Sequence, residues 1–566
     1  MLQGTGYANA LMKTRGGFDQ LRLNLDETFD RSVKNKYQHM RRLIIALFMF
    51  FILSGSLAQI PNVFISALNF PNEPSVCISP KSPNIMVAGA NIKALYYSSD
   101  YGLTWTVAEM TSSFGVYGDP CIIADSAGNF YYFHLSGPPS ASLLDRIVCQ
   151  KSTDNGHSWS DGSYTGLNGT KHQDKSWAVA DPKSNNVYVC WTQFDKYGST
   201  KPSDSSNILF SGSADGGLTW SEPLRINKVA GDCLDSSNTV EGAFPVIGPN
   251  GEIYISWSGP AGLVFAKSTD KGITWPSGNI TVSTLKQGWS FDVPGLYRCN
   301  GMPVTCCDCS NGPYRGNIYI NWSDQKNGVN NTDIFLSKST DGGQTWSSPK
   351  LVNNDSSNRH QFMSSMAVDQ STGFLYFVFY DRRNYSDLNT DVYLAISRDG
   401  GESFQNFKIS EKPFIPNPSI FFGDYTAISA LNNKVRPVWT NLNEVSLSMM
   451  VAIVDSASHL HAPELEPAIP ACLEQNYPNP ASSFTFMSFR LIRPSEVTLT
   501  LLDCSGKTVA ELLHRKNLPA GKYAEGIDLL KMGLEPGIYF YRLQTPDFIT
   551  TKKWSCVCPN LNYSFL

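Results

Sequence analysis

The sequence predicts an all-β fold: a β-propeller of six or seven four-stranded blades, followed by a small C-terminal β-sandwich. Three observations carry this. One eight-residue motif recurs six times, and its clearest copy is Ser339-Thr340-Asp341-Gly342-Gly343-Gln344-Thr345-Trp346. An alternating apolar strand precedes each copy. Charged residues make up only 17% of the chain beside 44 glycines and 33 prolines, a composition of strands and turns rather than of coiled coil or disorder.

The other copies begin at Ser98, Ser152, Ser213, Ser268 and Ser397. The intervals 98→152→213→268→339→397 are 54, 61, 55, 71 and 58 residues. Such a period marks an array of supersecondary units, each needing its neighbours to bury a face. Within the motif the Asp accepts backbone N–H bonds, the Gly supplies positive φ, and the Trp (Phe404 in the last copy) pins the outgoing strand.

In chain order, residues 1–39 form a polar leader without sustained pattern. Met40-Arg41-Arg42, an apolar run from Leu43 to Leu53 and Ser56-Leu57-Ala58 read as a signal peptide over 40–58, with Met40 the expected start. The propeller is expected over 59–455. Its second strands follow Gly or Asn turns at 128–133, 186–191, 251–257, 316–322 and 373–379, and its first strands lie at Ser75–Ser79, Pro120–Ala124, Trp177–Ala180, Ala243–Ile247 and Met363–Val368. Two strands, a loop, a third strand, the motif turn and a fourth strand make one blade. A seventh unit over 423–454 lacks the motif, so either a seventh blade exists or one unit is split for closure. A linker rich in Pro, Glu and Ala spans 456–472. Alternating strands with Gly turns over 473–566 read as the sandwich.

The net charge of −4 without a long basic run excludes nucleic acid as the expected partner. Four of thirteen cysteines cluster at Cys299, Cys306, Cys307 and Cys309. Paired CxxC motifs and a nearby His are missing, so disulfides within that loop are the stronger reading over zinc. No metal site is predicted, and Asn353-Asn354-Asp355 permits calcium without demanding it.

The recurring motif resembles the Asp-box, or bacterial neuraminidase repeat, of sialidase-like proteins. The resemblance implies a six-bladed propeller in which the boxes are structural and lie away from the ligand face. It also implies a Tyr nucleophile with a Glu base, an Asp acid, and an arginine cluster that grips a carboxylate. Tyr425, in Tyr425-Thr426-Ala427-Ile428, resembles the nucleophile segment, and Glu241 resembles its Glu partner, the two facing each other across the channel. Asp119 is the candidate acid. The Arg-Ile-Pro arginine is missing: the corresponding segment reads Asn72-Glu73-Pro74-Ser75. Arg382 and Arg383 are the candidate replacements, with Arg315 beside them, and Glu73 and Asp174 complete a ring of substrate-binding groups. Two functions follow as expectations: an exo-glycosidase on host or environmental glycans, or a non-catalytic propeller that binds glycan or protein at the cell surface. No cofactor is required, and a monomer is expected.

The end of the chain, from Asn476-Tyr477-Pro478-Asn479-Pro480 through Gly537-Ile538-Tyr539-Phe540-Tyr541-Arg542-Leu543 to Lys552-Lys553, resembles the C-terminal sorting domain of type IX secretion cargo. That implies a Gram-negative bacterium of the Bacteroidetes kind, the type IX machinery as partner, and export through the periplasm to the cell surface or medium. The tail after Trp554 departs from the usual basic ending.

Overall fold

The computed structural model describes residues 60–137, 143–276, 278–286, 288–455, 471–491, 494–519, 521–546 and 548–557. The leader, the signal peptide and most of the linker lie outside the described residues. The chain divides into two compact units between residues 460 and 461.

The first unit is a seven-bladed propeller. Six consecutive four-stranded antiparallel sheets begin with Ser75–Ile78, Cys121–Ala124, His172–Ala180, Glu241–Ile247, Val304–Cys307 and Gln361–Asp369. Blade 7 consists of Ala427–Leu431, Lys434–Asn443 and Ser446–Ala452, and its fourth strand is Asn62–Ser66 from the other end of the unit. Asn62 pairs with Ala452 and Val63 with Val451, which closes the ring. Of the six or seven blades expected, seven are present, and the seventh unit at 423–454 is the one completed by a strand from the other end. The last blade lacks the motif for a topological reason: its third and fourth strands are not consecutive, so no turn joins them.

Each interface between neighbouring blades holds one apolar cluster. Blades 2 and 3, for instance, share Tyr131, Phe133, Val189 and the fully buried Trp191, and blades 7 and 1 share Val438, Met449, Val76 and Tyr96. Truncating one such tryptophan to alanine costs about 3–5 kcal/mol. The second strands are buried on both faces because they sit mid-blade between two neighbours.

The Asp-boxes form the expected turns. In the first, Ser98 Oγ donates to Asp100 Oδ1 at 2.8 Å, and Gly102 N donates to Ser98 Oγ at 2.9 Å. Thr104 N and Oγ1 donate to the Asp100 carboxylate at 2.9 and 2.6 Å. The same bonds recur in the other copies, for example at Asp215 and Asp341. The box glycines also allow close contact between blades. A Cβ on Gly272 or Gly343 would stand 2.2 Å from Phe210 or Phe265 of the preceding blade. In an antiparallel blade the turn between strands three and four lies at the same end as the turn between one and two. The boxes thus lie opposite the starts of the first strands, where the candidate site is.

The cysteine reading needs correction. Cys306 and Cys307 are successive residues of a blade 5 strand, so their side chains point to opposite faces, and Cys299 belongs to a separate hairpin. No disulfide joins the described cysteines.

The second unit is a sandwich of two antiparallel sheets. One contains Ala471–Leu473, Phe484–Leu491 and Gly521–Asp528, and the other Thr508–Leu518, Ser495–Leu502, Gly537–Thr545 and Phe548–Cys556. Alternate residues such as Val497, Leu499, Leu501, Met487, Phe489, Tyr541 and Leu543 form one core. Asn476 locks the start of the unit: its N–H donates to Tyr541 Oη at 2.8 Å and its Nδ2 to Thr485 Oγ1 at 2.9 Å. Among the described residues no helix is long and apolar enough to cross a membrane.

Candidate functional site

The starts of the first strands share an unusual backbone. Glu73, Asp119 and Lys175 have φ of 54°, 50° and 42°, and Gly242 and Gly423 occupy the same region at 77° and 97°. Non-glycine residues adopt this conformation at an energetic cost, and such outliers cluster at functional sites. Here they accompany breaks in the ladder, with register shifts between Asp174 and Trp177 and between Glu241 and Phe244. The result is a set of polar side chains turned over the central channel.

Lys175 is the hub. Its Nζ lies 3.2 Å from Glu73 Oε1, 3.2 Å from Asp119 Oδ1 and 3.0 Å from Asp424 Oδ2. One ammonium therefore ties blades 1, 2, 3 and 7 together. Arg298 grips Asp424 with both arms, Nε to Oδ1 at 2.8 Å and Nη2 to Oδ2, and reaches Asp235 Oδ2 at 3.0 Å. It comes from a hairpin, Ser290–Phe291 paired with Cys299–Asn300, inserted between blades 4 and 5. Asn91 donates to Glu73 Oε2 and accepts from Asp119 N at 2.7 Å, and Asn300 Nδ2 donates to Asp424 O at 3.0 Å.

The carboxyl groups divide into two kinds. Burial raises the Asp119 carboxyl, but the Lys175 charge and surrounding hydrogen bonds overcome it and bring it down to about 2. Burial likewise acts on Asp424, and Lys175 and Arg298 hold it below the usual range. Glu73, Asp174 and Glu241 go the other way. Burial pushes Glu73 well up, and Lys175 offsets only part of it. Burial and the Asp119 charge raise Asp174, and burial with Asp174 and Asp235 raises Glu241. Lys175, whose burial favours the neutral amine, is kept charged by Asp119, Glu73 and Asp424.

Of the residues singled out in the sequence, Glu73, Asp119, Asp174, Glu241 and Tyr425 do converge on this mouth. Glu241 is 1% exposed, and neither carboxyl oxygen has a hydrogen-bond partner. The neighbouring Thr192 hydroxyl donates instead to Val240 O at 3.1 Å. The expected pairing of Tyr425 with Glu241 is therefore not formed. The Tyr425 ring instead lies under Lys175, 4.9 Å from Nζ to centroid, edge-on to Trp177 at 5.5 Å. Burial and the charges of Asp119 and Glu73 raise its phenol well above the ordinary value, opposite to what a nucleophilic phenolate needs.

Arg382 and Arg383 are not brought to the cluster. Arg382 is buried, donating to Thr390 Oγ1 at 3.0 Å and Pro294 O at 2.7 Å. Arg383 bonds Asp381, Asn354 and Asn406 and stacks on Tyr393 at 4.3 Å. Arg315 binds Cys309 O and Ser310 O near the first turn of blade 5, at the Asp-box end. Lys175, Arg298, Asp235 and Asp424 are the site residues that sequence reasoning missed. The 71-residue interval from Ser268 to Ser339, the longest of the five, was the visible sign of the hairpin that brings Arg298.

Below the cluster the channel widens into a cavity of about 130 Å³, lined among others by Ser75, Trp177, Phe244, Asn300, Ser364 and Tyr425. Above it stand exposed aromatics. Tyr197 is 44% exposed and donates to Asp235 Oδ2 at 2.9 Å, and Tyr297 is 61% exposed and packs edge-on to Phe421. Among the described residues no group of three His, Cys, Asp or Glu side chains is placed to hold a metal ion. Asn353, in the loop that permitted calcium, uses its Nδ2 on Asp333, Asp355 and Gln361. Chemically, the mouth sets carboxyls pushed upward by burial beside carboxyls held down by Lys175 and Arg298.

Residues 475–556 match the family described as Secretion system C-terminal sorting domain. The second unit is thus a type IX sorting domain, and the protein is secreted or displayed on the cell surface. No curated protein matches the chain. Among solved structures, it is similar to a Trypanosoma rangeli sialidase in complex with the inhibitor DANA, at 12% identity, covering 79% of this chain and 85% of that one, with a TM-score of 0.41. It is also similar to a Penicillium chrysogenum alpha-L-arabinanase complexed with arabinobiose, at 13% identity, 70% and 99% coverage, and a TM-score of 0.38. A Hadza microbial sialidase gives 14% identity, 67% and 75% coverage, and a TM-score of 0.38.

Proposed function

We propose that this is a monomeric, exported exo-glycosidase whose channel mouth works on glycans without an anionic group. The division into leader 1–39, signal peptide 40–58, propeller 59–455, linker 456–472 and sorting domain 473–566 belongs to this reading. The observation that carries it is the contrast between Glu241 and Asp119: a buried, unpartnered carboxyl pushed well above the usual range stands in the same cluster as one held down to about 2. Environments that push two carboxyls apart in this way suit one for general acid and the other for base or charge stabilisation. Glu241 would protonate the leaving oxygen. Asp119, with Glu73 and Asp174 around it, would activate water or stabilise developing positive charge. Trp177, Tyr425 and the exposed Tyr197 and Tyr297 supply apolar faces for a sugar ring.

A sialoside fits this mouth poorly. Holding its carboxylate takes an uncommitted guanidinium, whereas Lys175 and Arg298 are already neutralised by carboxylates and Arg382 and Arg383 point their charge elsewhere. The test is a panel of aryl glycosides, neutral and sialylated, given to the secreted protein. Turnover of a neutral glycoside is expected, with about 10²–10⁴-fold loss in Glu241→Gln. Turnover confined to sialosides would overturn the assignment.

A second reading has its own support. Lys175, Glu73, Asp119 and Asp424 satisfy one another and are almost wholly buried, as a structural plug across the channel would be. On that reading the protein binds glycan or glycoprotein without turnover. Inactivity across the panel with retained binding to a glycan array would favour it.

A further inference from the structure

We propose that the cavity beneath the Lys175 cluster is a binding site for a small neutral aromatic compound carrying one hydroxyl group, a molecule of the size of phenol. The site does not depend on the glycan-directed reading of the mouth and adds a second ligand to it.

The cavity lies on the axis of the ring, since all seven blades contribute to its wall. Asp424 and Tyr425 line it and both meet Lys175, whose Nζ lies 3.0 Å from Asp424 Oδ2 and 4.9 Å from the centroid of the Tyr425 ring. Lys175 therefore borders the space on the side of the mouth. Trp177, Phe244 and Tyr425 give it aromatic walls. The Trp177 ring meets Phe244 at 5.8 Å and an angle of 36°, and Tyr425 at 5.5 Å and 63°. Each ring thus fixes its neighbour and keeps its remaining face toward the space they share. Trp177 and Phe244 are only half-buried although they stand in the centre of the propeller. Met302 and Met366 add thioether surface, which adapts in shape and packs favourably on aromatic rings.

Size, polarity and charge then select the ligand. An apolar cavity of about 150 Å³ holds benzene, so a space of about 130 Å³ admits one ring with a small substituent and excludes a sugar residue with its hydroxyls. Ser364 lines the cavity at 7% exposure, and its hydroxyl has no hydrogen-bond partner, a costly condition in a buried group. Other polar side chains of the wall are engaged. Asn300 donates to Asp424 O at 3.0 Å, Thr426 Oγ1 donates to Met363 O at 2.8 Å, and Ser75 Oγ accepts from Ile122 N at 2.8 Å. A buried water needs about two to four polar partners, whereas a phenol needs one and covers its remaining surface with ring contacts. Net charge of either sign is disfavoured. Asp424 and Lys175 already neutralise each other, so an ion in this space would be buried without a counter-charge.

Titration calorimetry of the full-length protein with phenol, toluene, cyclohexanol, benzoate and benzylamine tests each part of this. Phenol is expected to bind with a Kd below about 1 mM, at least about tenfold tighter than cyclohexanol, benzoate or benzylamine. Toluene should bind more weakly than phenol because it leaves Ser364 unpartnered. Ser364→Ala should bring phenol down to the affinity of toluene and leave toluene unmoved. Ala427→Leu, which enlarges a wall residue, should abolish binding of both, and Ser364→Ala carries the test alone if the larger side chain prevents folding. Cyclohexanol or either ion binding as tightly as phenol would overturn the proposal, as would phenol affinity unchanged in Ser364→Ala. Absence of phenol binding up to about 10 mM would identify the space as a solvent-filled stretch of channel and overturn it as well.

Discussion

Replacing Lys175 by methionine tests whether the cluster is one electrostatic unit. Methionine keeps the apolar stem and removes the ammonium. Three carboxyl oxygens now 3.0–3.2 Å from Nζ would lose their shared counter-charge at a site where Lys175 is 8% exposed. Removing one partner of a buried ion pair costs about 3–5 kcal/mol. Roughly 400 residues unfolding with about 2.1 cal/mol/K each give about 0.8 kcal/mol/K, so the propeller's Tm should fall by ~5 °C at pH 7. The pH dependence follows from the shifts. Asp119 and Asp424 have folded pKa values below their unfolded ones, so the stability they contribute is present above the ordinary carboxylate range and is lost as pH falls through the folded values, about 2 for Asp119. Lys175 is the chief charge holding both down. The difference between wild type and variant should therefore be largest near neutrality and shrink below about pH 4 as the carboxylates protonate. Thermal melts of the full-length protein from acid to neutral pH measure it. A Tm unchanged at neutral pH, or a deficit of equal size at pH 4 and pH 7, would refute the reasoning.

Three further outcomes are expected. Ending the chain at residue 472 should leave the propeller folded but strand it in the periplasm, which fractionation and immunoblotting would reveal. Secretion at the full-length level would contradict the role of the tail. Tyr425→Phe should change stability by less than about 1 kcal/mol and leave glycoside turnover largely intact, because the phenol is held in its neutral form. Loss of turnover by several orders of magnitude would restore the nucleophile that the Asp-box resemblance implied. Asp154 and Asp270 in the Asp-boxes are lowered to about 2, chiefly by bonds from Ser158 and Thr274 that outweigh desolvation, so their contribution is present above about pH 4 and disappears as pH falls through about 2. Acid titration of Tm for the double variant Asp154→Asn/Asp270→Asn should be flatter across that window than for wild type.

Much of the fold was legible because its two signals are local. The Asp-box needs only Ser, Asp, Gly and Trp at fixed offsets, and period-two alternation marks a strand wherever one face meets a neighbouring blade. The closing strand Asn62–Ser66 escaped both signals: it is five residues long and lies almost four hundred residues from its partner, Ser446–Ala452. No local pattern records a pairing of that separation. The sorting domain was the easiest part, since its Asn476 and Tyr541 lie in the two most specific segments and bond to each other.

The site was harder because its residues depend on where the ladder breaks. The sequence places a first strand at Trp177–Ala180 with Asp174 just before it, whereas the strand runs over His172–Ala180. The left-handed backbone at Lys175 and the register shift between Asp174 and Trp177 turn the next residue inward as well. A one-residue slip exchanges the faces of a strand, and sequence periodicity cannot place such a slip. The same displacement separates Tyr425, which resembled a nucleophile, from Asp424, which makes the ionic contacts. The cation is hidden for another reason. Arg383, the arginine that the sequence offers, lies two residues from Asp381, and that carboxylate holds it in place at 2.7 Å. Arg298 occupies the mouth from an inserted hairpin outside the repeat, and it arrives already paired with Asp424 and Asp235. A motif search asks which residue types are present. What decides the chemistry here is which polar groups remain unpartnered after folding, and among the described acids at this mouth Glu241 is left with neither oxygen bonded, whereas the guanidiniums are all engaged.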